Sequence, residues 1–172
     1  MAAKKDKKTR RLARKRKTQR STQPSSGQQI LLKRARTSEH LKDTKVIVSP
    51  PGTEKMSEVI LRFAEPLQDE YGVVPPNMIR LAILVWNASF LPEDIQKQAI
   101  KNIVEIVPVT EREARREMIL AISMLLERKE NYFSDNKRVI MDYHITESAH
   151  RLNLDVVSTV AEGYDPDLEA AR

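Results

Sequence analysis

Two histidines and two carboxylates near the C-terminus come closest to a catalytic or metal-binding set. Asp142 and His144 precede a predicted turn, and His150 and Asp155 follow it. Imidazole and carboxylate groups bind zinc and transfer protons, so an enzyme would have its site here. The spacing matches no metal motif, however, and titratable groups on a polar hairpin face explain the cluster more simply. We therefore expect no catalytic residue, no metal and no cofactor, and an enzyme ranks third among the functions considered.

A dense group of cations near the N-terminus is the strongest functional signal in the chain. Eleven Lys or Arg residues and one acid lie between residues 4 and 20. These cations are Lys4, Lys5, Lys7, Lys8, Arg10, Arg11, Arg14, Lys15, Arg16, Lys17 and Arg20. A second cluster consists of Lys33, Arg34 and Arg36. Such clusters neutralise phosphate groups, and without interleaved aromatic side chains they suit nucleic-acid backbones better than bases.

The charge of the chain is divided unevenly along its length. Residues 1–45 carry 16 Lys or Arg and 3 acids, a net charge of +13, whereas residues 46–172 carry 14 and 21, a net charge of −7. Residues 1–62 contain no Trp, Tyr or Phe, so they lack the stacking platform of many single-strand binders. This pattern predicts a contact with phosphates that has no sequence preference.

Three functions fit this pattern to different degrees. We expect first a non-enzymatic nucleic-acid-associated binding or accessory protein, whose basic arm contacts the RNA or DNA backbone. The alternative is a structural or protein-interaction subunit whose basic arm docks on an acidic protein partner. A membrane partner is not expected, because no apolar face accompanies the charges and no segment is apolar enough to span a bilayer. The lack of cysteine and of a secretory signal favours the cytoplasm, or the nucleus in a eukaryote.

The N-terminal third of the chain is expected to be a disordered arm. Residues 1–50 are basic and low in complexity, and the first 29 have almost no large apolar side chain to offset the entropy of ordering. Within this region, residues 21–29 predict a polar linker and residues 30–41 a short helix. A Ser-Pro-Pro-Gly sequence at 49–52 marks the boundary to a globular domain at 51–161. A polar tail follows at 162–172.

The apolar periodicity of the globular domain predicts four packed helices. They are expected at about residues 53–67, 76–90, 92–107 and 110–131. Thr53 is the expected cap of the first, and Pro66 should interrupt it. Thr110 and Glu113 match a capping box at the start of the fourth. The inward stripe of the third helix is expected to be Ile95, Ala99, Ile100, Ile103, Val104 and Val107.

Beyond residue 136 the period changes from helical to alternating, which predicts a hairpin. One strand should present Val139, Met141, Tyr143 and Ile145 on one face, and the other should present Leu152, Leu154 and Val156. A turn is expected at 147–150. Because two strands are not stable alone, the hairpin must pack on the helices, and residues 46–48 are a candidate third strand. The expected fold class is α+β: about four packed α-helices, a C-terminal β-hairpin and a long basic disordered N-terminal arm.

Overall fold

The computed structural model describes residues 26–37, 54–106, 111–148 and 151–160. This part of the chain forms five α-helices and a two-stranded antiparallel sheet. The elements are α1 (Ser26–Thr37), α2 (Met56–Phe63), α3 (Pro76–Ala88), α4 (Glu93–Ile106), α5 (Arg112–Phe133), β1 (Arg138–Ser148) and β2 (Arg151–Val160). The predicted α+β class, with packed helices followed by a C-terminal hairpin, is confirmed.

Proline ends helix α2 as the sequence predicts. Because Pro66 cannot continue the helical hydrogen bonding, α2 stops at Phe63 and Glu65–Leu67 forms a single 3₁₀ turn. At the other end, the Glu58 carboxylate accepts a hydrogen bond from the Lys55 N–H at 3.4 Å. The buried residues of this helix are Met56, Val59, Ile60 and Phe63. They form the single stripe expected from their spacing.

The predicted caps of two helices differ from the structure or lie outside it. Thr53 and Thr110 are both outside the described residues. Helix α5 begins at Arg112 and Glu111 takes the capping position. Glu113 is therefore the second residue of the helix, whereas a capping box requires the third. The predicted capping box is thus wrong by one residue in register.

Aromatic side chains from three helices form the centre of the core. The Trp86 ring on α3 lies edge-on to Phe63 of α2, with ring centroids 5.1 Å apart, and to Phe133 of α5 at 5.8 Å. Neither Trp86 nor Phe63 has exposed surface. Helix α3 is buried along most of its length, in agreement with its apolar sequence.

Helix α4 packs on α3 and α5 with a face shifted from the predicted one. Ile103 and Val104 are buried as expected, but Ile95 is exposed and Val107 lies outside the described residues. Gln96 is half-buried, and its Nε2 donates to the Ala88 carbonyl at 3.2 Å. A polar side chain therefore occupies the inward position that the prediction gave to Ile95.

A β-bulge corrects the predicted face of strand β1. The register shifts between Ile140 and Asp142, and the extra residue reverses the alternation upstream of it. Ile140 is buried at 5% exposure, whereas Met141 is 43% exposed. The prediction that Val139 and Met141 share a face with Tyr143 and Ile145 is therefore wrong. The core face of the hairpin consists of Ile140, Tyr143, Ile145, Leu152, Leu154 and Val156.

An asparagine joins the hairpin to the central helix. The Asn87 Nδ2 donates to the Ile140 carbonyl at 2.8 Å, and the Ile140 N–H donates to Asn87 Oδ1 at 2.9 Å. The amide thus satisfies both backbone groups of one residue, as a neighbouring strand would. Trp86 Nε1 donates to the Arg138 carbonyl at 2.8 Å two residues earlier. These three bonds hold β1 against α3 beside its bulge.

Helix α1 lies within the stretch predicted to be an arm. It spans Ser26–Thr37, so residues 26–29 are helical rather than part of a polar linker, and residues 38–41 of the predicted helix lie outside the described residues. The rest of residues 1–50, including the candidate third strand at 46–48, lies outside the described residues, as does the tail at 162–172. The helix packs on both strands of the hairpin. The prediction of a linker rested on local composition, which does not include this tertiary packing.

Candidate functional site

Three of the polar residues singled out from the sequence, Asp142, His144 and Asp155, share one side of the hairpin with Asn153. We call this side the outer face. These residues alternate with the residues of the core face, and His144 pairs with Asp155 across the strands. Asn153 Nδ2 donates to Asp155 Oδ2 at 3.0 Å. His150 lies outside the described residues. Three of the four predicted polar residues are therefore brought together.

Helix α1 covers this outer face with a stripe of three residues. Gly27, Leu31 and Arg34 are spaced at four and three residues, so they lie on the same side of the helix. Gly27 and Leu31 are both buried, Leu31 at 2% exposure. The hairpin is therefore packed on both sides, by the helical core on one face and by α1 on the other.

Glycine at position 27 permits the close approach of α1 to the outer face. A Cβ atom at this position would clash with Asp155 Oδ2 and lie 3.0 Å from Asp155 Cγ and 3.1 Å from His144 Cδ2. The Asp155 carboxylate is buried and lies against the first turn of the helix. Negative charge at that end is favourable because the helix dipole is positive there.

An ion pair holds the other end of α1. Arg34 Nη1 lies 3.5 Å from Asp142 Oδ1, with about half of the Arg34 side chain exposed, at 54%. Asp142 is more enclosed, and its Oδ1 also accepts the Tyr143 N–H at 2.8 Å. A residue predicted to bind phosphate is thus paired with a residue that only the third-ranked alternative, an enzyme, would use.

The apolar contact and the ion pair of α1 each contribute a modest free energy. Burial of Leu31 contributes about 2 kcal/mol. An ion pair as exposed as Arg34–Asp142 contributes less than about 1 kcal/mol. A helix of twelve residues is marginal in water without such packing. Helix α1 therefore depends on its packing against the hairpin for its stability.

The predicted phosphate-binding cations fall into three groups. Lys33 is exposed on α1, and Arg34 is paired with Asp142. Arg36 belongs to α1, but its side chain is outside the described residues. The eleven cations of residues 4–20 also lie outside them. Among the described residues, Arg34 is the predicted cation that contacts the outer face.

A buried lysine near the core was missed by the sequence analysis. The Lys129 Nζ on α5 donates to the Phe133 carbonyl at 2.8 Å and to the Asn136 carbonyl at 3.2 Å. It also lies 4.5 Å from the Trp86 ring centroid and 4.8 Å from that of Phe90. Its place in the sequence, four residues before the helix ends, was the one available signal, because cations favour the C-terminal end of the dipole.

Burial governs the protonation of this lysine. Desolvation, aided by the charge of Lys137 and opposed by that of Asp135, lowers the pKa of Lys129 to about 8. A cavity of about 530 Å³ adjoins it, lined by Ser89, Phe90, Gln96, Leu126, Glu127, Lys129, Glu130, Ser134 and Lys137. Because the ammonium already bonds two carbonyls and faces two rings, its observed role is to cap α5.

The described part of the chain shows two further features relevant to function. No helix in it is long and apolar enough to cross a membrane. Within the same residues, no group of three or more His, Asp or Glu side chains is arranged to hold a metal ion.

No protein-family model matches the chain, and neither the curated proteins nor the solved structures gave a significant match.

Proposed function

We propose that this protein is a non-enzymatic accessory protein of nucleic acid, acting in the cytoplasm. Its basic N-terminal residues contact the phosphate backbone without sequence preference. The observation that carries the proposal is the charge division, with net +13 in residues 1–45 and net −7 in the remainder. Each cation that replaces a condensed counterion on the nucleic acid adds binding free energy at low salt.

The arrangement of the outer face supports a non-enzymatic role. Asp142 and His144 are the residues that an enzyme on the hairpin would use. Asp142 is paired with Arg34, and the Asp155 carboxylate lies under the first turn of α1. A substrate would have to displace a helix to reach them. The polar groups of this face are better explained as the docking surface of α1.

One observation favours a second function, a protein-interaction subunit with an acidic partner. Helix α1 carries three of the predicted cations, and it already docks on a protein surface that presents Asp142 and Asp155. An acidic surface on another protein would offer the same kind of contact to the cations of residues 4–20. Both functions use the basic arm, and they differ in the partner that the arm contacts.

A charge-matched pair of variants of the full chain tests the proposal. In the first, Arg14, Lys15, Arg16, Lys17 and Arg20 are all changed to Gln. In the second, five exposed cations of the folded part, Lys97, Lys101, Arg112, Arg115 and Arg116, are changed to Gln. Both variants lose five positive charges, so a difference between them reports on position rather than on net charge. Binding to labelled RNA and DNA duplexes is measured at several salt concentrations.

The first variant should lose most of its affinity, whereas the second should stay close to the unmodified chain. If the arm makes six to eight phosphate contacts, the log–log slope of affinity against salt on DNA is about −5 to −7, and it falls with each lost contact. Equal loss in both variants, or no binding by the unmodified chain, would disprove the nucleic-acid function. A protein partner that stays bound after nuclease treatment would favour the second function.

A further inference from the structure

Arg34 belongs both to the predicted phosphate-binding residues and to the contact that holds α1 on the hairpin. Its guanidinium lies 3.5 Å from Asp142 Oδ1, and about half of the side chain remains exposed. Carboxylate and phosphate oxygens accept hydrogen bonds from the same guanidinium fork. A phosphate group would therefore compete with Asp142 for Arg34.

The other end of α1 is also placed against an acid. The Asp155 carboxylate lies at Gly27 in the first turn, and between the two ends Leu31 is the one fully buried large side chain among the described residues of the helix. The contacts of the helix with the outer face thus include two carboxylates and one apolar side chain. The ion pair between Arg34 and Asp142 is a contact of the kind that a polyanion replaces.

We propose that α1 is a latch. Docked on the outer face, it withholds Arg34 from the phosphate backbone, and a bound polyanion releases α1 from Asp142 and uncovers the outer face. This inference rests on the proposed function and adds a regulation to it. In the docked state, the acidic outer face competes with nucleic acid for Arg34, which lies at one end of the basic region.

A reversible disulfide provides a direct test in the full chain. The sequence contains no cysteine, so a single engineered pair is the only thiol pair present. The pair is Gly27→Cys with Asp155→Cys. A Cβ at position 27 would lie 3.0 Å from Asp155 Cγ, close to where the sulfur of a cysteine at 155 would lie. With an S–S bond of about 2.04 Å, that separation suits a disulfide.

The oxidised form fixes α1 on the hairpin, and the reduced form of the same protein frees it. We expect the oxidised form to bind a DNA duplex about three- to fivefold more weakly, with a salt slope less steep by about 1, because one phosphate contact is withheld. The unmodified chain, which has no thiol, should bind equally under both conditions. Equal affinity and equal slope in the two forms of the double variant would overturn the latch.

A second comparison keeps the test independent of the disulfide. Asp142→Asn removes the partner of Arg34, whereas Asp94→Asn removes an exposed acid at the start of α4. Both raise the net charge by one. Asp142→Asn should bind DNA about threefold more tightly than Asp94→Asn, because a larger fraction of the protein has α1 free. Equal affinities would count against the latch, whereas failure of the proposed function would appear as weak binding by every variant.

Discussion

The two faces of the hairpin are packed by different means. The core face meets α2 and α3 through aliphatic side chains, with the Trp86 ring and the Asn87 amide bonding the backbone of β1. The contacts of the outer face with α1 include a glycine, a leucine and an ion pair. The core face therefore depends on the burial of apolar groups, whereas the contacts of the outer face include an ion pair that is half exposed.

This difference predicts which contacts determine the stability of the fold and which contacts respond to salt and to competing ions. Burial is insensitive to salt and to competing ions, whereas an exposed ion pair weakens as salt screens it. Loss of the core face should unfold the protein, whereas loss of the outer-face contact should free one helix and leave the rest in place. Four substitutions test this distinction.

The largest effect is expected from the central aromatic side chain. Trp86→Ala would leave a cavity among Phe63, Phe90 and Phe133 and remove the bond to the Arg138 carbonyl. The free energy of unfolding should fall by about 4 kcal/mol, measured by urea denaturation. Tyr71→Ala, which removes an 81% exposed aromatic side chain, should change it little. Similar losses in both variants would mean that Trp86 does not organise the core.

The next largest effect is expected from the amide that bonds β1. Asn87→Ala would remove two hydrogen bonds and leave the N–H and carbonyl of Ile140 without these partners. The expected loss of unfolding free energy is about 3 kcal/mol. Asn102→Ala, at an exposed site on α4, is the matched control. If both variants lost the same small amount of unfolding free energy, the hairpin would be held by its apolar side chains alone.

A pH-dependent effect is expected from the buried lysine. The pKa of Lys129 is lowered from its ordinary value of 10.5 to about 8 in the folded state. Between these values the unfolded chain binds more protons, so this residue makes stability rise with pH across that window. Relative to Lys129→Met, the unmodified chain should gain about 2 kcal/mol between pH 7.5 and pH 10. Lys101→Met, at an exposed site on α4, is the control substitution. If the difference in unfolding free energy between the unmodified chain and Lys129→Met were the same at both pH values, the lowered pKa would be contradicted.

The smallest effect on global stability is expected from the apolar contact of α1. Leu31→Ala should cost about 1 to 2 kcal/mol and act mainly on the helix itself, because the core does not include this residue. Hydrogen exchange should become faster in the amides of α1 and stay unchanged in α3. Ile30→Ala, at a 40% exposed neighbour, should change neither. Faster exchange throughout the protein would show that the two faces of the hairpin unfold as one unit.

Regular apolar patterns made much of the fold predictable. The stripe of α2, its end at Pro66 and the length of α3 follow from side-chain spacing and from the missing N–H of proline. The face of β1 could not be predicted upstream of Asp142, because a bulge leaves no mark in a simple alternation. The start of α1 was missed for a related reason. Ser26, Gly27 and the two glutamines after it are poor in apolar groups, and their helix is stabilised by packing on a distant hairpin.

The candidate site was predictable in part. Asp142, His144 and Asp155 were correctly expected near one another, since cross-strand pairing in a hairpin is local. Neither the covering helix nor the pairing of Arg34 with Asp142 was expected, because these groups are more than a hundred residues apart in the chain. Lys129 was overlooked because its burial depends on Trp86 and Phe90 from another part of the chain.

The sequence by itself determined the charge division and the order of helices and strands, because composition and local periodicity depend only on neighbouring residues. The tertiary structure decided which side chains meet. It placed a helix from the basic region on the acidic outer face, and it buried one lysine among aromatic rings. Those contacts depend on burial and close packing between distant segments, such as the space at Gly27 that admits Asp155.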